Sequence, residues 1–219
     1  MRENLAATLR LLLVTDDALL AGRDAVAVCE AAVRGGVTAV QLRLKWATDA
    51  DLFALARRLV ESLTVPVLVN DRVDVALAAG AHGAHLGADD LAPALARRIV
   101  PAGFIIGASV GSEGEIERGL AANYWGIGPL HASVTKPAAG VALGLDAART
   151  LRERAGSRPC VAIGGVTIQD VAPVMAAGFA GVAVVSGILG SEDVEGAARA
   201  YLSSFATLRM TESRIVPLP

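Results

Sequence analysis

Gln41, Arg43 and Lys45 recur at every second position of the segment QLRLK. In an extended strand successive side chains alternate sides, so these three share one side. An amide with two cations on one face could hold a polyanion, because guanidinium and ammonium make charge-assisted bonds to phosphate. Carboxylates follow in the next two segments. One carries Asn70-Asp71 with Asp74 a helical turn later, and the other runs His85-Leu86-Gly87-Ala88-Asp89-Asp90. Carboxylates at neighbouring strand ends repel unless a cation lies between them, and magnesium typically takes one or two carboxylates plus substrate phosphates. Plainer uses stand beside these: a rim salt bridge for the cations, and helix N-caps for Asp71, Asp89 or Asp90. His85 is expected to fill interior space or sit at a rim.

Further along, Ser109 closes the run GFIIGAS, as a ligand contact or, with Ser112, as a helix cap. The stretch NYWGIGPLHASVTK follows. Its Gly126, Gly128 and Pro129 permit close backbone approach, and its Ser133, Thr135 and Lys136 could clamp a phosphate from a closing loop or form a solvated surface loop. Two late segments, Ile163-Gly164-Gly165 and Val185-Ser186-Gly187, expose backbone N–H groups suited to a single phosphate. One set of residues therefore suits a metal-bound diphosphate and the other a monophosphate. Two phosphorylated substrates brought face to face would use both.

The elements that must position these residues alternate along the chain. Eight short apolar runs are LRLLLVT, TAVQLRL, PVLVN, GAHL, GFIIGAS, NYWGIGP, PCVAIGG and GVAVVS. Between them lie segments of helical period such as DAVAVCEAAVRGG, DADLFALARRLVESL and IQDVAPVMAAG. The runs are continuously apolar, as parallel strands covered on both faces require. Eight strand–helix units predict an α/β fold, a (β/α)8 TIM barrel in one domain over residues 1–206, with a disordered tail over 207–219. In that fold, chemistry sits at the carboxyl ends of the strands, and the loops after strands seven and eight commonly bind phosphate.

Composition agrees with this and narrows the function. Hydrophobic residues make up 53% and aromatics only 4%, which favours small-residue helices around an aliphatic sheet. A net charge of −2 provides no basic footprint for nucleic acid. Cys29 and Cys160 lack ligand or redox spacing and read as buried small hydrophobes in a reducing compartment. No run approaches the roughly 18 apolar residues of a membrane span, so a soluble, cytoplasmic protein is expected.

With these residues in place, the chain resembles the thiamin phosphate synthase family. The resemblance runs in order through QLRLK, VLVNDRVDVAL, GAHLGADDL, IIGASV, NYWGIGPLHASVTK, VAIGGVTIQDVAPVMAAG and GVAVVSGI. It implies a transferase that couples hydroxymethylpyrimidine diphosphate to a thiazole phosphate and releases diphosphate by a dissociative path. It further implies that Gln41, Arg43, Lys45 and Asn70 face the pyrimidine diphosphate, and that Asp71 and Asp90 hold Mg2+. Ser109 would touch the pyrimidine side; Ser133, Thr135 and Lys136 would bind the leaving diphosphate or lie between the substrates. Gly165, Val185 and Ser186 would seat the thiazole phosphate. Arg43, Lys45, Ser109 and Lys136 are the residues expected to act in catalysis.

Small-molecule substrates are the expected partners, without nucleic acid or membrane, and a homodimer is the assembly to consider. Three positions depart from the family pattern. Leu44 replaces a glutamate and Ala88 a glutamine, removing polar groups that could order the site, while Ser133 replaces a threonine and keeps the hydroxyl. Two alternatives stay open: a related thiazole tautomerase, whose catalytic histidine lies in the loop after strand six, and a non-catalytic phosphate-ligand-binding barrel. At the aligned position this chain has Pro129, with His131 two residues on.

Overall fold

The apolar runs become strands because both of their faces are covered, one by the barrel interior and the other by helices. The structure, a computed structural model, describes residues 2–132 and 141–212. Its strands are β1 Leu11–Val14, β2 Ala39–Leu42, β3 Val67–Asn70, β4 Gly83–Leu86, β5 Ile105–Ser109, β6 Tyr124–Ile127, β7 Cys160–Ala162 and β8 Gly181–Val184. They pair in parallel in sequence order, and β8 returns to β1 with Leu12 beside Ala183, closing the barrel. This is the single-domain (β/α)8 architecture that the alternating periods predict.

Helix α1 Arg2–Thr8 precedes β1; α2 Asp17–Leu20 and α3 Ala25–Arg34 follow it. The connecting helices continue with α4 Asp49–Ser62, α5 Val73–Ala78, α6 Pro93–Ala96, α7 Ile116–Gly119, α8 Gly144–Arg154 and α9 Val171–Ala176. After β8 come α10 Ser186–Leu189 and α11 Val194–Glu212. Helix α4 shows the local logic. The Thr48 side chain accepts the Asp51 amide at its start, Asp49 and Asp51 face the positive end of the helix dipole, and Leu52, Ala56 and Leu59 are buried on one face. The last helix carries through to Glu212, past residue 206, and residues 213–219 lie outside those described.

Two apolar layers result. Between the strands and helices lie Leu13, Val40, Val69, Ile106, Trp125 and their neighbours. Inside the barrel, Leu12, Val14, Ala39, Leu68, Tyr124, Val161 and Ala183 form a second cluster. Tyr124 fits because β5 presents Gly107, where a Cβ would meet the Tyr124 ring and lie 2.5 Å from His85 Nδ1. Cys29 and Cys160 are buried free thiols, and burial pushes each up to about 12, so they pack rather than react. Among the described residues no helix is long and apolar enough to cross a membrane.

Candidate active site

Three consecutive residues after β1 organise the end of β2. Thr15 is fully buried; its hydroxyl accepts the Arg43 amide at 2.8 Å and donates to the Arg43 carbonyl at 3.0 Å. Asp16 accepts from the Ala18 amide at the start of α2 and from Arg43 Nη1 at 3.3 Å. Asp17 accepts the amides of Lys45 at 2.7 Å and Trp46 at 3.2 Å. The segment after Leu42 is thus held by side chains rather than by a strand ladder.

This wiring divides the three residues that strict alternation would keep together. Gln41, 3% exposed, donates to Asn70 Oδ1 at 2.7 Å. Lys45 Nζ meets Asp71 Oδ2 at 2.9 Å. Arg43 instead turns toward β1 and Asp16, because β2 ends at Leu42 and the pleat no longer directs it. Leu44 packs against the layer between strands and helices. The backbone around it is ordered by Thr15 and Asp17, without a polar side chain at position 44.

Asp71 follows β3 with φ of 65°, a left-handed conformation that aspartate tolerates better than most residues. Its amide donates to the His85 carbonyl at 2.8 Å, which turns the carboxylate toward Lys45. Neither Asp71 nor Asp90 caps a helix: α5 is preceded by Arg72 and α6 by Ala92, both without side-chain capping bonds. Asp74 pairs with Arg72 outside the site, and Asp89 is exposed. Asp90 closes a turn on itself, its Oδ2 accepting the Gly87 amide at 2.6 Å. Arg118, on α7, braces that turn by donating to the carbonyls of Gly87 and Asp90. Ala88 is exposed, and the turn holds its shape through Asp90 and Arg118.

The carboxyls of Asp71 and Asp90 interact, and the electrostatics divide them. Burial and the hydrogen bond with Asp71 push Asp90 up to about 6. Burial also acts to raise Asp71, but the hydrogen bonds from Asp90 and Lys45, with the Lys45 charge, outweigh it and hold Asp71 below the usual carboxylate range. Two facing oxygen-donor groups that repel when both ionised form a fit place for a hard divalent cation. Among the described residues no cluster of three or more His, Cys, Asp or Glu joins them. A two-carboxylate set that leaves positions for water and substrate oxygens suits magnesium better than a closed zinc site.

Ser109, ending β5, faces inward. Its Oγ lies 3.1 Å from His85 Nε2, and His85 Nδ1 lies 2.9 Å from the buried Tyr124 hydroxyl. His85 is 7% exposed and fills the barrel while fixing Ser109 beneath the mouth. Ser133, Thr135 and Lys136 lie outside the described residues.

Strands β7 and β8 end on the far side of the closed barrel from β3 and β4. Gly165 takes φ of 65°, and a side chain there would press on His131 Cβ at 2.9 Å, so only glycine gives its backbone this approach. The amides of Leu130 and His131 donate to the carbonyls of Ile163 and Gly164 at 2.8 and 2.9 Å, fastening the β6 loop onto the β7 loop. Val185 precedes α10; its carbonyl accepts the Ile188 and Leu189 amides, and the Ser186 and Gly187 amides at the start of the helix have no partner within it. His131 Nε2 is paired with Asp170 Oδ1 at 2.9 Å.

The residues that sequence reasoning passed over are Thr15, Asp16, Asp17 and Arg118. The first three had a readable signal: polar residues directly after the first barrel strand, where this fold places its chemistry. Arg118 had none, because its role depends on α7 lying against a turn distant in sequence.

Comparison with known proteins supplies the family. A family model described as thiamine monophosphate synthase matches residues 11–188. The chain is 45% identical to a thiamine-phosphate synthase of Chloroflexus aurantiacus, covering 87% of this chain and 89% of the relative. It is 44% identical to one of Methanoculleus marisnigri, covering 91% and 96%. Its structure is similar to that of a thiamine phosphate pyrophosphorylase from Pyrococcus furiosus, with a TM-score of 0.81, 33% identity and coverage of 94% and 99%. A 3-hexulose-6-phosphate synthase at 17% identity and TM-score 0.70 shares the fold alone. With the match spanning the barrel from its first strand to the start of the helix after its last, the chain belongs to the thiamine monophosphate synthase family.

Proposed function

We propose that this chain is a thiamin phosphate synthase. It joins hydroxymethylpyrimidine diphosphate to a thiazole phosphate through a dissociative substitution. The observation that carries the reading is the Lys45–Asp71–Asp90 cluster at the mouth, opposite the Gly165 and Ser186 strand ends. That arrangement separates a cation-binding, diphosphate-compatible rim from a neutral backbone cradle for one phosphate. A site for a proton shift on a thiazole phosphate has no use for the first rim.

In this scheme the bond between the pyrimidine methylene and the diphosphate oxygen breaks, and its electron pair leaves with diphosphate. The ring nitrogen of the thiazole then donates its lone pair to the methylene carbon, forming the C–N bond. Asp71 and Asp90 would hold Mg2+, which when bound supplies positive charge at the diphosphate. Lys45, already at the mouth through Asp17 and Asp71, adds its ammonium to the departing oxygens. Arg43, held by Asp16, lies on the same rim for the outer phosphate, and Lys136, with Ser133 and Thr135, is assigned to the same leaving group. Gln41, Asn70 and Ser109 line the floor and orient the pyrimidine, while Gly165, Val185 and Ser186 seat the acceptor's phosphate. Such fixed charges aimed at a developing anion, with the acceptor held near, account for most of the acceleration a site of this kind needs.

The test is direct. Purified protein with Mg2+ and both phosphorylated substrates should release one diphosphate per thiamin phosphate formed. Saturable binding of both substrates without product would leave only a binding barrel. Metal-independent isomerisation of a thiazole carboxylate phosphate, without coupling, would make the chain a tautomerase.

A further inference from the structure

The mechanism above leaves one titratable pair at the barrel mouth unused, His131 with Asp170. Three contacts fix the histidine. Its amide donates to the Gly164 carbonyl at 2.9 Å, its Cβ lies where any side chain on Gly165 would have to go, and its Nε2 meets Asp170 Oδ1 at 2.9 Å. Asp170 is itself held, its Oδ2 accepting the amide and hydroxyl of Thr167 at 2.7 Å each. Burial acts to raise Asp170, but the Thr167 amide and then His131 outweigh it, keeping the carboxyl below its ordinary range and ionised. The side chain of His131 is 49% exposed, and its second nitrogen, Nδ1, bonds nothing among the described residues. A surface histidine needs no such mooring for stability alone.

We propose that His131, oriented by Asp170, is a positioning residue for the acceptor's phosphate, donating from Nδ1 and adding positive charge to a cradle otherwise built from neutral amides. With Nε2–H directed at the carboxylate, Nδ1 is the ring nitrogen left for a ligand, and a doubly protonated ring donates on both sides. This inference rests on the assignment of the Gly165–Ser186 cradle to the acceptor phosphate.

Calorimetric binding of thiazole phosphate and of the corresponding thiazole alcohol separates the two. The wild-type chain should prefer the phosphate, and His131→Ala should lose at least about tenfold of that preference, the scale of one charged hydrogen bond. Affinity for the pyrimidine diphosphate, which also reports folding, should stay unchanged. His131→Gln can still bond Asp170 but carries no charge, and it should be as poor as alanine. Asp170→Asn placed in the His131→Ala background should recover part of the loss, because it removes a carboxylate that the lost imidazole no longer pairs. Rescue by His131→Gln would mean that the pair only ties two loops together, and an undiminished preference in His131→Ala would equally overturn the proposal. A wild-type chain that binds alcohol and phosphate alike would remove the cradle assignment itself.

Discussion

Replacing Asp90 by asparagine should stabilise the metal-free protein while removing its activity. Asn can keep the Gly87 amide bond through its Oδ1 and donate its NH2 to Asp71, reproducing the protonated acid at every pH. The carboxyl of Asp90 is raised from an ordinary 3.8 to about 6, which corresponds to about 3 kcal/mol if the environment were fully buried. The group is partly exposed, so solvent screening reduces this to about 1 kcal/mol. Because the folded pKa lies above the unfolded one, the folded protein holds the extra proton, and stability from this group is present below about 4 and lost as pH rises through about 6. The wild type therefore declines relative to Asp90→Asn between those values. At pH 8 without divalent cation the variant should melt about 2–4 °C higher, as about 1 kcal/mol implies for a chain of this size, and the two should converge near pH 4. Magnesium should raise the wild-type midpoint and leave the variant nearly unmoved, while turnover of the variant falls at least tenfold. A variant less stable than wild type at pH 8 without metal would refute the repulsion between Asp71 and Asp90 on which the metal assignment stands.

Three further substitutions probe the supporting structure. Lys45→Met should lower kcat by about 10²–10³, the usual cost of losing one donor to a developing anion, with circular dichroism and thiazole phosphate affinity unchanged. Arg118→Ala should leave the barrel folded but raise the magnesium concentration for half-maximal activity by roughly 10–100-fold, because it frees the turn that aims Asp90; a magnesium titration of initial rate decides this. Gly107→Ala places a methyl group against Tyr124 and His85 and should cost about 1–3 kcal/mol by overpacking, read as a lowered denaturation midpoint in urea.

Much of the molecule can be read along the chain, and the division between what can and cannot follows from the range of the forces involved. Strand and helix identity came from local periodicity, since continuous apolar runs such as VLVN and GAHL have to be covered on both faces and parallel pairing follows from that. The carboxyl ends of those strands could therefore be located, and with them Gln41, Asp71, Asp90 and the Gly165 and Ser186 backbone. What each polar side chain bonds was another matter. Arg43 leaves its alternating partners for Asp16 because β2 ends one residue earlier and the Thr15 hydroxyl replaces the ladder. The approach of Asp71 and Asp90 depends on a left-handed backbone at Asp71 and on Arg118 bracing a turn 28 residues away. Sequence by itself determined the barrel, the family and the rim to which the chemistry is assigned. Tertiary structure alone decided the pairings on that rim, because a hydrogen bond acts over about 3 Å while the residues it joins come from strands that only closure of the barrel brings together.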